Sequence, residues 1–97
     1  MQERKYEIPD EFLDAADRFV TLANELGDQH SRDWVRAVLM YAAARYNAFA
    51  WLTREENAGQ TVEQAATYFS GEYASMLREN VKEMTPHYPP PPAEPRQ

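Results

Sequence analysis

The chain has 97 residues, no cysteine, and sixteen acidic against ten basic side chains, for a formal charge of -6. That length allows one domain with a modest core, and the lack of cysteine excludes disulfides and thiolate chemistry. The cations are scattered singly, so a phosphate-tracking surface for direct nucleic-acid binding is not expected, and the acidic balance serves solubility.

Residues 1–9 read as an N-terminal arm. The charges in Met1 to Ile8 are not followed by an apolar run, so no secretory signal peptide is expected. Arg36, Arg45 and Arg54 interrupt the best apolar stretch before it reaches the roughly 18 residues of a membrane span. A soluble, cytoplasmic protein without membrane contact is the expectation.

The first helix is predicted over 10–26. Pro9 precedes it and Gly27 follows, the usual entry and exit residues. Phe12, Ala16, Phe19, Ala23 and Leu26 recur at steps of four and three and form one apolar stripe. Asp14, Asp17, Arg18, Thr21 and Glu25 fall opposite.

The second helix is predicted over 33–52, with Ser31 or Asp33 as its cap. Its strongest apolar arc holds Val35, Val38, Leu39, Ala42, Tyr46 and Phe49, and Trp34, Tyr41, Ala48 and Leu52 extend it to one side. Arg45 lies in that extension, while Arg36, Asn47, Met40 and Trp51 share the opposite side. A helix apolar nearly all round is a central one. A charged guanidinium inside it needs a partner.

Thr53 to Gln60 reads as a turn region around Asn57-Ala-Gly59. Thr61-Val-Glu-Gln64 matches a capping box at the start of a third helix, 61–84. Its stripe is Val62, Ala66, Phe69, Tyr73, Met76, Leu77 and Met84, with Asn80 set into it and Gly71 on the outer face. Residues 85–97 hold all but one of the seven prolines and read as a disordered, polyproline-like tail. Short loops between three amphipathic helices predict an all-α, up-down-up three-helix bundle over 10–84. Helices two and three outrun the first, and Trp34, Trp51 and Tyr68 exceed what a minimal core holds, so a homodimer is expected.

Three segments carry a family resemblance. Leu39-Met-Tyr-Ala-Ala-Ala-Arg-Tyr-Asn-Ala-Phe49 resembles a small bacterial domain-of-unknown-function family, number 3144. Asp17-Arg-Phe-Val-Thr-Leu-Ala-Asn24 is similar to its first helix, and Tyr68 to Asn80 to its third, together spanning roughly residues 11–84. The resemblance implies a small all-helical protein and carries over no catalytic or ligand residue. The family usually continues helically past the asparagine, where this chain has Pro86 and the proline run.

The polar residues on apolar faces give the candidate sites. Arg45 is read as a buried structural tie, chiefly to the third helix, with Glu72 or Glu79 there or Asp17 of the first helix as its ion partner and Asn80 as a further one. Asn80 is also read as fixing helix register or oligomer state. Asn47 is placed on the outer wall beside Arg36. Trp51, with Met40 and Trp34, is the expected interface, since tryptophan is enriched in binding hot spots.

Catalysis and cofactors find no support. The two histidines, His30 and His87, lie in a loop and in the tail, so neither a metal centre nor a helix-borne base is expected. No Gly-x-Ser-x-Gly and no glycine-rich phosphate loop occur. The expected function is therefore non-catalytic protein–protein contact with self-association. One alternative is an acidic inhibitor occupying a basic nucleic-acid-binding surface of a target enzyme. The other is a small-anion carrier with a cleft at Arg45.

Overall fold

The computed structural model describes residues 8–89. The arm before Ile8 and residues 90–97 of the expected tail lie outside the described residues. The protein is all-α: α1 spans Asp10–Leu26, α2 Arg32–Leu52 and α3 Val62–Met84, with a single 3-10 turn at Glu55–Asn57. No strand occurs among the described residues. The chain divides into two compact units, Met1–Tyr46 and Asn47–Gln97, and the boundary falls inside α2.

In the first unit, α1 starts after Pro9 with Asp10 and Glu11 in its first turn, where backbone N–H groups favour carboxylates. It ends at Gly27, whose φ of -67° is ordinary helical geometry, so the left-handed freedom of glycine is not used. What glycine provides there is space, since an added Cβ would sit 3.3 Å from the Asn24 carbonyl oxygen. Ser31 caps α2 by accepting from the Trp34 backbone N–H at 3.1 Å. Val35, one turn into α2, is buried at 8% exposure, and Ala23 and Leu26 at the end of α1 are half-buried. The packing of this unit is concentrated beside the turn. Farther out, Phe12 and Phe19 of the α1 stripe stay 57% and 64% exposed.

In the second unit, the end of α2 is closed by side chains. The Thr53 hydroxyl donates to the Phe49 carbonyl at 2.8 Å, and Asn57 Nδ2 donates to the Trp51 carbonyl at 3.0 Å, so two terminal carbonyls gain donors. Gly59 has φ +83°, a left-handed conformation that favours glycine. The Thr61–Gln64 capping box forms in full, with the Gln64 N–H donating to Thr61 Oγ1 at 3.1 Å and the Thr61 N–H to Gln64 Oε1 at 2.7 Å. Residues 85–89, expected as the start of the tail, instead make a turn in which the His87 and Tyr88 N–H groups donate to the Met84 carbonyl.

The faces of α2 differ from those expected. Asn47 and Trp51, assigned outward from the wheel, are half-buried. Tyr46, Phe49 and Leu52, from the apolar side, are exposed. The reason is a contact distant in sequence: after residue 46, the Trp51 ring packs on Tyr68 and Phe69 of α3, and that pairing decides which side of this end of the helix is covered.

Candidate functional site

Trp34, Val38, Tyr41 and Arg45 follow one another at spacings of four, three and four, which puts them on one face of α2. With Ala37 and Ala42 they line an open concavity of about 520 Å³. Trp34 is 45% exposed and Tyr41 64%. The alanines keep the floor low, and the larger side chains stand as its walls. The Arg45 guanidinium carbon lies 6.0 Å from the Tyr41 ring centroid, at the outer limit of a cation–π contact. At the other end, the His30 ring stacks on Trp34 with centroids 3.8 Å apart and planes 23° from parallel. That stack holds the indole in place from the preceding loop. The four-residue spacing of His30 and Trp34 is its signal in the sequence.

This surface is chemically mixed: aromatic and aliphatic, with one cation and no carboxylate among its lining residues. Being the face of one helix, it does not enclose a small ligand as carrier sites do. A second concavity, of about 310 Å³, sits at the turn between α1 and α2 and is lined by Ala23, Asn24, Gly27, Asp28, Arg32 and Val35. Asp28 and Arg32 make it more polar.

The residues expected in a buried tie are each found within their own unit. Arg45, Asn80, Glu79 and Glu72 are all exposed, and no polar side chain is buried among the described residues. Asn80 turns back on its own helix, Nδ2 donating to the Met76 carbonyl at 2.8 Å. Glu72 accepts from the Tyr68 hydroxyl one turn earlier, and this hydrogen bond, with the carboxylate charge itself, raises the tyrosine pKa above its usual 10.0. Apolar neighbours on its own helix do not by themselves bury a guanidinium. Left in water, a guanidinium needs no buried partner, and its aliphatic stem can still lie along an apolar wall.

The three expected interface residues have different surroundings. Met40 is 48% exposed, and Trp34 lies on the α2 concavity. Trp51 is taken up by packing in the second unit. Its ring centroid lies 5.8 Å from Phe69 and 5.9 Å from Tyr68, edge-on and tilted respectively, the geometries aromatic pairs prefer. Among the described residues no cluster of three or more His, Asp or Glu could hold a metal ion, and no helix is long and apolar enough to cross a membrane.

A family model described as "Protein of unknown function (DUF3144)" matches residues 12–85. No curated protein and no solved structure matches the chain.

Proposed function

The chain belongs to the DUF3144 family, and from that premise we propose that it is a non-catalytic interaction protein that works as a self-associated assembly. The observation that supports this is the exposure of its helix faces. Val35 is the one buried residue among the described ones, while aromatic and aliphatic side chains on all three helices remain open to solvent. Helices of 17, 21 and 23 residues draw most of their stability in water from packing an apolar face, because ordering each residue costs roughly 1–2 kcal/mol of backbone entropy. Soluble monomers rarely expose contiguous apolar patches beyond roughly 300–600 Å². Such faces are covered in the working state of a protein.

Size-exclusion chromatography with light scattering tests the proposal. The expected mass is at least twice the 11.3 kDa of one chain across the micromolar range. A particle that stays monomeric at hundreds of micromolar, with its helices intact by circular dichroism, overturns it.

A further inference from the structure

We infer that residues 90–97 lie back along α3 of the same chain as a polyproline II helix, with Pro92 and Pro95 set on the exposed row of Tyr73, Leu77, Val81 and Met84. The contact goes beyond the self-association proposed above and does not depend on it.

The proline spacing carries the argument. Pro89, Pro92 and Pro95 recur at steps of three. A polyproline II helix has three residues per turn, so these prolines form one ridge. Glu94 and Gln97 fall on a second ridge with Pro91, and Arg96 falls on the third with Pro90 and Ala93. Both charged side chains of the segment are therefore off the first ridge. One wholly apolar ridge with the charges elsewhere is the pattern of a helix that lies on a surface, as it is for an amphipathic α-helix. A solvated spacer has no need of it.

The face it fits is on α3. Phe69, Tyr73, Leu77 and Val81 follow at steps of four, and Met84 closes the row three residues on. Phe69 is half-buried against Trp51, with 5.8 Å between the ring centroids. Beyond it Tyr73, Leu77, Val81 and Met84 are each about half exposed. The two-turn repeat of an α-helix, as from Leu77 to Met84, is about 10.5 Å. One turn of polyproline II advances about 9 Å, so successive ridge prolines drop between successive α3 side chains. Proline also loses little conformational freedom on docking, and aromatic-lined surfaces take proline-rich segments for that reason.

Length and tether select this face for this segment. From Met84 back to Tyr73 the row is about 16 Å long. Residues 90–97 span about 25 Å as polyproline II, enough to cover it. α3 stops at Met84, whose carbonyl accepts from the His87 and Tyr88 N–H groups, so the segment starts close to the end of the row. Segment and row belong to the same unit. A short tether holds the effective concentration in the millimolar range, so a weak apolar contact suffices. The docked segment closes one face of α3 within the chain and leaves those of α1 and α2 for assembly.

The chain has no cysteine, so introduced thiols are the sole ones. Full-length chains carry Pro92→Cys with Leu77→Cys, or Pro92→Cys with Lys82→Cys as a control on the far side of α3. Each is equilibrated in glutathione buffers at low protein concentration, and the disulfide within the chain is measured by mass spectrometry. The expected effective concentration is roughly tenfold or more higher at Leu77 than at Lys82. Adding Pro89→Ser and Pro95→Ser to the Leu77 pair returns it to the control value, while adding Pro90→Ser and Pro91→Ser does not. Equal values at Leu77 and Lys82, equal effects of the two serine pairs, or a disulfide that forms between chains instead of within one overturns the proposal. An NMR spectrum of the unsubstituted chain gives a second reading that no variant can spoil. The Tyr73 ring shifts ring protons of Pro92 or Pro95 upfield, and a Tyr73→Leu chain lacks that shift. Random-coil shifts for both prolines in the unsubstituted chain overturn the contact whatever the cysteine variants do.

Discussion

At the residue scale, position along the chain predicted chemistry well only where the partner was local. Ser31, Thr61 and Gln64 cap their helices within three residues, so type and spacing sufficed to find them. Arg45 and Asn80 were read as buried because their helix neighbours are apolar, and both are exposed. Tyr68 is the residue whose titration the structure perturbs. Its hydroxyl donates to Glu72, so the neutral phenol is favoured in the folded state and its pKa is raised. The contribution is present at pH values below the ordinary tyrosine pKa and is lost as pH climbs through the raised one. Glu72→Gln should return Tyr68 toward the usual value, read as tyrosinate absorbance after subtracting a Tyr68→Phe control. An unchanged titration would show that the hydrogen bond does not hold in solution.

At the element scale, helix ends were legible and helix faces were not. Periodicity and punctuation are properties of contiguous residues, and these place α1, α2 and α3. Two substitutions in α3 should move its stability in opposite directions. Thr61→Ala removes the cap and should cost about 1 kcal/mol. Gly71→Ala should add about 1 kcal/mol, because an added Cβ at Gly71 meets nothing within 4 Å and alanine restricts the unfolded chain. Urea melts at one fixed protein concentration measure both, since assembly would otherwise shift the midpoints. Equal melts for wild type and Gly71→Ala would mean that residue 71 is covered in the working state. Trp51 shows why faces are harder. Its ring was free to go either way around α2 until the Tyr68–Phe69 pair, seventeen residues later in the chain, drew it in.

At the scale of the whole molecule, charge and apolar surface pull against each other. Each chain carries -6, so in the proposed assembly two copies repel and apolar contact has to outweigh that repulsion. Added salt screens that repulsion over a Debye length of about 10 Å at 0.1 M. The proposed assembly should therefore tighten as salt rises, measured by sedimentation equilibrium at low and high ionic strength. An acidic inhibitor held to a basic target by charge would show the reverse, releasing its partner with salt. The sequence by itself determined the helical class, the ends and caps of the helices, and the family, because hydrophobic period and capping chemistry act within a few residues. Only the tertiary structure decided which faces are covered: Val35 and Trp51 packed, and Tyr41 and Arg45 left in water. A helix whose apolar residues run nearly all round offers several faces of similar hydrophobicity, and contacts distant in sequence choose among them.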